Sequence, residues 1–228
     1  PRYAARPLVH RHPLPAAGGR AGRGAPLDHG PQRHQGVQGD GHDGGRLRPE
    51  CRAAWAQCFV RFIRAYEAEG VPIWGVSVQN EPAAHQRWES CLYSAEEERD
   101  FVRDHLGPAL RDAGLGDVKI VIWDHNRDLM VERARVVYDD AQAARFVWGT
   151  GFHWYGPEHF DAVQQVHDAW PDKHLLFTEG CQEGGPHIGS WDLGERYGRS
   201  MINDINRWTV GWIDWNLLLD ERGGPNHL

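Results

Sequence analysis

Two glutamates, Glu81 and Glu179, follow apolar runs that are typical of β-strands, and their carboxyl groups could perform acid–base or nucleophilic chemistry. One such group can hold a proton for a departing oxygen, and a second, ionised one can attack a carbon atom. Cleavage of a glycosidic bond needs both, because one carboxyl group protonates the leaving oxygen while the other attacks the anomeric carbon. A single carboxylate after a strand is usually a helix cap or a solvated loop residue, so the interpretation depends on the surrounding residues.

Polar and aromatic side chains follow all five predicted strands. In a (β/α)8 barrel such positions face one mouth, where barrel enzymes have their active sites. Five strands that end in this way are harder to explain as helix capping than one strand would be. Beside the two glutamates, these strand ends hold Asn80, Asp124, His125, Asn126, His153, Trp154, Tyr155, Asp214, Trp215 and Asn216.

Apolar periodicity from residue 49 onward predicts alternating helices and strands. Trp55, Phe59 and Ile63 lie on one helical stripe, and Ser94 with Glu97 has the pattern of a capping box at a helix start. The predicted helices are 49–70, 94–114, 129–144, a helix that carries Phe160, Val163 and Val166, and 193–208; the predicted strands are 71–78, 118–123, 146–154, 174–178 and 210–217.

This alternation predicts an α/β fold with a parallel sheet, either doubly wound or a (β/α)8 barrel. No glycine-rich phosphate loop follows any strand, which disfavours the nucleotide-binding form of the doubly wound fold. Five strands are too few to close an eight-stranded barrel, so a barrel would be partial. Glu81 and Glu179 are 98 residues apart, a distance that three βα units of about 31–33 residues cover. They would then follow strands four and seven and face each other across the mouth.

Residues 1–43 differ in composition from the rest of the chain. They are rich in Gly, Pro, Arg and His, and no helical or strand period runs through them. Such a segment buries too little apolar surface to offset its ordering entropy. Only two of the 25 basic side chains are lysines, which suggests a GC-rich gene whose wrong reading frames also encode Gly-, Pro- and Arg-rich peptide. We therefore expect an unstructured or out-of-frame segment at 1–43 and a barrel domain at 44–228.

The composition disfavours several classes of partner. A net charge of −7 gives no electrostatic reason to expect nucleic acid. No run approaches the ~20 apolar residues that a transmembrane helix needs. No HxxxH or clustered Cys/His spacing suggests zinc, so the sequence predicts neither a metal nor a cofactor. The 11 tryptophans are typical of core packing or of clefts in which indoles stack on sugar rings. The oligomeric state is not predicted.

Four segments, in this order, resemble glycoside hydrolase family 30, the glucosylceramidase family of (β/α)8 enzymes. They are Trp-Gly-Val-Ser-Val-Gln-Asn-Glu-Pro at 74–82, Phe-His-Trp-Tyr at 152–155, Phe-Thr-Glu-Gly-Cys at 177–181 and Gly-Trp-Ile-Asp-Trp-Asn at 211–216, followed by Leu-Asp at 219–220 and Gly-Gly-Pro-Asn at 223–226. The resemblance extends from about residue 44 to residue 228. It implies a retaining β-glycosidase whose substrate is a carbohydrate or a glycolipid, with glucosylceramide or a related β-glucoside as the expected one.

The resemblance also implies roles for individual residues. Glu179 matches the nucleophile and Glu81 matches the acid/base. Asn80 matches a residue that hydrogen-bonds the sugar 2-hydroxyl, and Trp215 matches an indole beneath the sugar ring. The further substrate-site residues that it implies are Asp124, which bonds the sugar, and His153 and Tyr155, which hold the nucleophile and tune its charge.

Simpler alternatives exist for several of these residues. Asn80 could be a turn residue before a proline, and His153 or Tyr155 could pack in the core. Asp124 could form a salt bridge with Arg127. Two tryptophans are interpreted as core residues or as a layer behind the site: Trp123 and Trp154.

Members of glycoside hydrolase family 30, which this chain resembles, have three further strands before this region and a β-sandwich after the barrel. Where they carry a Trp- and Pro-rich strand end, this chain has residues 33–42, which lack aromatic side chains. We therefore expect strands four to eight of a (β/α)8 TIM barrel, with the N-terminal strands and the C-terminal β-sandwich missing, and a polypeptide that is poorly stable and inactive on its own. Alternative functions are β-1,6-glucanase or β-xylosidase activity, or a non-catalytic carbohydrate-binding remnant.

Overall fold

The computed structural model describes residues 8–9, 45–86, 90–183 and 187–216. Most of the segment at 1–43 that we predict to be unstructured or out of frame lies outside the described residues, as do residues 217–228 with the last two resembling motifs. Leu8–Val9 form a two-residue strand, β1, which no sequence pattern predicted. The domain boundary at residue 44 stays a prediction.

The five predicted strands are present. They are β2 (Gly75–Ser77), β3 (Lys119–Asn126), β4 (Val147–His153), β5 (His174–Glu179) and β6 (Thr209–Trp212). Together with β1 they form one parallel sheet in which the spatial order follows the chain order. A (β/α)8 barrel has this order, whereas a doubly wound sheet reverses its order at a switch point. The prediction of a partial barrel is therefore confirmed.

Helices connect the strands. They are α1 (Arg52–Ala68), α2 (Ala95–Phe101), α3 (Gly107–Asp112), α4 (Met130–Tyr138), α5 (Ala141–Ala144), α6 (Phe160–Ala169) and α7 (Asp192–Ile205), with 3-10 turns at Pro49–Cys51 and Arg127–Leu129. Helix α1 buries Phe59 and Ile63 from the predicted stripe. The predicted capping box of Ser94 and Glu97 opens α2. None of the helices that the described residues form is long and apolar enough to cross a bilayer.

Three strands are shorter than predicted, and β4 loses only one residue at each end. The predicted strand at 71–78 is reduced to the three residues of β2. Pro72, which has no N–H for a sheet ladder, disfavours strand pairing only at the start of this segment. The predicted strand at 210–217 ends at Trp212. Asp214 therefore lies beyond the last strand rather than within it.

Two predicted helices are interrupted. The predicted helix at 94–114 contains a π-helical turn at Val102–Leu106, because Pro108 cannot donate the hydrogen bond that an α-helix requires at that position. The predicted helix at 129–144 divides at Asp140, whose side chain accepts backbone hydrogen bonds at the start of α5.

A buried ion pair joins the end of β3 to α7. Arg127 and Asp204 have side chains that are 1% and 0% exposed, and Arg127 Nε donates to Asp204 Oδ1 at 3.0 Å. The Arg127 guanidinium lies 4.8 Å from the centroid of the Phe160 ring and 5.3 Å from that of Phe152. This pair fixes α7 against the end of the sheet that carries the candidate site.

Candidate active site

Strand register brings the predicted residues to the carboxyl end of the sheet. His153, the last residue of β4, lies opposite Glu179, the last residue of β5, and Asn126 at the end of β3 lies opposite His153. Glu81 follows β2 and donates its backbone N–H to the carbonyl oxygen of Asp124 at 2.9 Å. The ends of β2, β3, β4 and β5 therefore meet, as the barrel prediction requires.

The Glu81 carboxyl group is buried and has partners on both oxygens. Oε2 accepts a hydrogen bond from Gln86 Nε2 at 2.6 Å. Oε1 lies 3.4 Å from His153 Nδ1 and 3.8 Å from His125 Nδ1. Burial raises the pKa of Glu81, but the hydrogen bond and positive charge of His153 outweigh it and hold the pKa below its usual value. His125 is one of the strand-end residues noted in the sequence but had no predicted role, and Gln86 was not predicted.

His153 is fully buried and uses both of its ring nitrogens. Nε2 lies 3.0 Å from Asp124 Oδ1, and Nδ1 faces Glu81. Burial lowers the pKa of His153, but the hydrogen bonds to Asp124 and Glu81 outweigh it and raise the pKa to about 9. His153 is therefore protonated at neutral pH and bridges two carboxylates, which an inert core histidine would not do.

The alternative interpretation of Asp124 as a salt-bridge partner of Arg127 is wrong. Arg127 pairs with Asp204 instead. Asp124 is 0% exposed, and its carboxylate faces His153 and accepts a hydrogen bond from the Ser77 hydroxyl group. Asp124 therefore contacts His153 through Nε2, the ring nitrogen that does not face Glu81.

The Glu179 carboxyl group is buried and has one partnered oxygen. Oε1 accepts a hydrogen bond from the Tyr155 hydroxyl group at 3.0 Å, and Oε2 has no hydrogen-bond partner among the described residues. Burial raises the pKa of Glu179; the charge of His153 opposes this shift, and those of Asp124 and Glu81 add to it. Tyr155 thus contacts Glu179 directly, whereas His153 hydrogen-bonds Glu81 and influences Glu179 through its charge.

Asn80 and Trp215 flank the two glutamates. Asn80 precedes Glu81, and its Oδ1 is buried without a hydrogen-bond partner in the described part of the chain. Trp215 donates its backbone N–H to Gly180, the residue after Glu179, at 3.0 Å, and it is 36% exposed. An unpartnered amide oxygen suits a hydroxyl donor, and a partly exposed indole suits stacking.

Three non-glycine residues of the site have left-handed backbone conformations. The φ angles are 47° at Glu81, 69° at Trp123 and 56° at Asp124, and such conformations cost about 1–3 kcal/mol each. Glu98 supports this bend, because its buried Oε1 accepts the Trp123 N–H at 2.8 Å. Arg133 lies over the Trp123 indole at 4.7 Å. The bend interrupts the register between β3 and β4.

Glu81, His125 and His153 also have the arrangement of metal ligands. One carboxylate oxygen and one nitrogen from each imidazole all lie within 4.8 Å of one another. His125 Nδ1 is buried and has no hydrogen-bond partner among the residues that the structure describes. No metal was predicted from the sequence because these three residues belong to separate segments, which no short spacing connects.

Comparisons with known proteins give the relatives of this chain. The glycosyl hydrolase family 30 TIM-barrel domain matches residues 32–228. Lysosomal acid glucosylceramidase of Mus musculus is 35% identical over 202 residues, which are 83% of this chain and 39% of the mouse protein. The structure of SrfJ from Salmonella typhimurium is 39% identical with a TM-score of 0.80, covering 84% of this chain and 44% of SrfJ. The endo-β1,6-glucanase BT3312 is 36% identical with a TM-score of 0.71, covering 79% of this chain and 41% of the glucanase.

The chain spans well under half the length of these relatives. The family match begins at residue 32, within the segment that we predicted to be unstructured or out of frame.

Proposed function

We propose that this chain, which belongs to the glycosyl hydrolase family 30 TIM-barrel family, forms the catalytic part of a retaining β-glycosidase. Glu179 is the nucleophile and Glu81 the acid/base in this proposal. The observation that carries it is that two buried glutamates lie at the carboxyl end of one parallel sheet, Glu81 after β2 and Glu179 at the end of β5, where barrel enzymes have their active sites. The reaction forms a glycosyl ester on one carboxylate and then hydrolyses it.

The two oxygens of Glu179 suit a nucleophile. The Tyr155 hydroxyl group holds Oε1 at 3.0 Å and so orients the carboxylate. Oε2 has no hydrogen-bond partner among the described residues, so its lone pairs are available to an anomeric carbon. Burial strengthens the charge interactions around this carboxylate because the surroundings are less polar than water.

The acid step needs a proton on Glu81, yet the pKa directions oppose this requirement, because the pKa of Glu81 is lowered and that of Glu179 is raised. The Glu81–His153 pair nevertheless holds one proton at neutral pH, since the pKa of His153 is about 9. His153 Nδ1 can pass this proton across 3.4 Å to Glu81 Oε1 as Glu81 protonates the leaving oxygen. Asp124 keeps the His153 ring in the orientation that this transfer needs.

We propose a β-glucoside of the glucosylceramide type as the substrate. The similarity to the mouse glucosylceramidase supports this choice. The Asn80 amide oxygen would accept a hydrogen bond from the sugar 2-hydroxyl, and the Trp215 indole would stack on the apolar face of the sugar ring. Asp124 would act through His153 rather than on the sugar, because it is 0% exposed.

A β-1,6-glucan is the second candidate substrate. The glucanase BT3312 is 36% identical to this chain and the glucosylceramidase is 35% identical, so overall similarity does not separate them. The xylanases among the similar structures are 19–21% identical and share the fold alone. Glucosylceramide, β-1,6-linked glucose oligosaccharides and β-xylosides should therefore be assayed side by side.

The test uses a chimera in which residues 45–228 of this chain replace the matching segment of a complete family 30 relative. Proton NMR should detect the β-anomer as the first product of an aryl β-glucoside, because retention requires it. Glu179→Gln should abolish turnover, and the matched change Glu183→Gln, at an exposed glutamate just after β5, should not. An α-anomer as the first product would contradict retention. Sugar binding without turnover would instead favour the carbohydrate-binding remnant.

A further inference from the structure

We propose that Glu81, His125 and His153 bind a divalent transition-metal ion of the zinc class, which reversibly blocks the acid/base carboxyl group. Glu81 Oε1 lies 3.4 Å from His153 Nδ1 and 3.8 Å from His125 Nδ1, and the three ligand atoms all lie within 4.8 Å of one another. Binding of the ion rests on this geometry alone, whereas the block rests on the proposed function.

The separations suit a tetrahedral ion. Zinc holds nitrogen and oxygen ligands at about 2.0–2.2 Å, which puts neighbouring ligand atoms about 3.3–3.5 Å apart. The two separations from Glu81 Oε1 already approach this range. The His125 side chain is 14% exposed, so a rotation of its ring can bring the third ligand closer. Three protein ligands also match the number found at zinc sites that keep a position for water.

A second layer of contacts already orients one of the ligands. His153 Nε2 bonds Asp124 Oδ1 at 3.0 Å, and the Ser77 hydroxyl group holds the other oxygen of that carboxylate. Metal-binding histidines typically bond a carboxylate through the nitrogen that does not bind the metal, which fixes the ring and raises its basicity. Here the same arrangement directs Nδ1 of His153 toward Glu81.

His125 is the ligand that catalysis does not use. Its buried Nδ1 has no hydrogen-bond partner among the described residues, and its ring lies 5.1 Å from the Trp123 ring. A buried polar atom without a partner needs an explanation such as a water or an ion. A metal ion would satisfy His125 Nδ1 and would replace the proton between Glu81 and His153, so Glu81 could not protonate a leaving group.

Isothermal titration of the purified 228-residue chain with zinc chloride tests binding without any measurement of turnover. His125→Phe keeps an aromatic ring beside Trp123 but removes the nitrogen. We expect it to weaken zinc binding by at least about 10-fold, the lower end of the effect of removing an outer-layer partner. The matched control is His167→Phe, because the His167 ring stacks on Trp208 at 4.3 Å and is not part of the ligand group. This control should bind zinc as the wild type does.

Equal zinc affinity in wild type and His125→Phe would overturn the site, and so would the absence of saturable binding at one ion per chain. In the active chimera, zinc should inhibit the wild type at a concentration at least about 10-fold lower than it inhibits His125→Phe. Equal inhibition of the two would overturn the block. Zinc binding that depends on His125, in a chimera that hydrolyses no glycoside, would support the site and reject the proposed hydrolase function.

Discussion

Replacing Glu98 by glutamine should stabilise the protein relative to wild type as the pH rises. Glu98 is 0% exposed. Its Oε1 accepts the Trp123 N–H at 2.8 Å, and its Oε2 has no hydrogen-bond partner in the described part of the chain. Burial raises the pKa of Glu98 from 4.5 to about 7, despite the opposing charge of Arg133. Glutamine keeps the acceptor for Trp123 but cannot ionise.

The folded protein holds the Glu98 proton more tightly than the unfolded chain does. The contribution of this carboxyl group to stability is therefore fully present below about pH 4.5 and is lost as the pH rises through about 7. At about 1.4 kcal/mol per pKa unit, the shift corresponds to about 3 kcal/mol. The difference in the free energy of unfolding between Glu98→Gln and wild type should therefore shift by about 3 kcal/mol in favour of the variant between about pH 4.5 and about pH 8.5.

Urea unfolding of both proteins at the two pH values measures this difference. Glu96→Gln on the same helix is the control, because the pKa of the exposed Glu96 is lowered by hydrogen bonds to its own backbone and to Ser94. The free energy of unfolding of Glu96→Gln should not increase relative to that of the wild type as the pH rises. A difference between Glu98→Gln and wild type that is the same at both pH values would refute the burial argument.

Three further predictions concern the catalytic pair and the buried ion pair. In the chimera, Glu81→Ala should impair natural substrates far more than glycosides with acidic leaving groups, and azide should partly restore turnover; equal losses would make Glu81 structural. Asp204→Ala should lower the free energy of unfolding by about 3–5 kcal/mol, because it leaves the Arg127 charge buried and unpaired; an unchanged urea midpoint would contradict this. In a crystal structure of the chimera, the Glu81 and Glu179 carboxyl groups should lie about 5–5.5 Å apart, whereas a separation near 9 Å would indicate inversion.

The barrel order was predictable because its signals are local. The apolar runs at 118–123, 146–154 and 174–178 each end in polar side chains, and the structure has β3, β4 and β5 there. Parallel strands present their carboxyl ends at one edge of a sheet, so the sequence could group Glu81 with Glu179 before any contact was known. The two-residue β1 carries no such signal and was missed.

The contacts inside the site were not predictable. Neighbouring residues of a regular strand point to opposite faces, yet both Asp124 and His125 approach the Glu81–His153 pair. The left-handed residues Trp123 and Asp124 break the alternation, as bulges near active sites do. No local pattern indicates a left-handed tryptophan, since bulky residues disfavour that conformation. The support comes from Glu98, which lies 25 residues earlier in the chain.

Proximity in sequence was misleading at Arg127. The nearest acidic partner in the predicted site was Asp124, but Arg127 pairs with Asp204, which is 77 residues further along the chain. The bend in β3 directs Asp124 to His153, while Arg127 begins the following 3-10 turn and points toward α7. The direction of the backbone decides whether Arg127 contacts Asp124 or Asp204. Residue composition and spacing do not predict that direction.

Covalent labelling of the nucleophile tests the central claim most directly. The chimera would be incubated with a 2-deoxy-2-fluoro-β-glucoside that has a good leaving group, digested, and mapped by mass spectrometry, because a retaining enzyme forms a glycosyl ester on its nucleophile. We predict the label on Glu179 and no label in Glu179→Gln. A label on Glu81 would contradict the assignment and would instead agree with exchanged roles, in which the raised pKa of Glu179 serves the acid step.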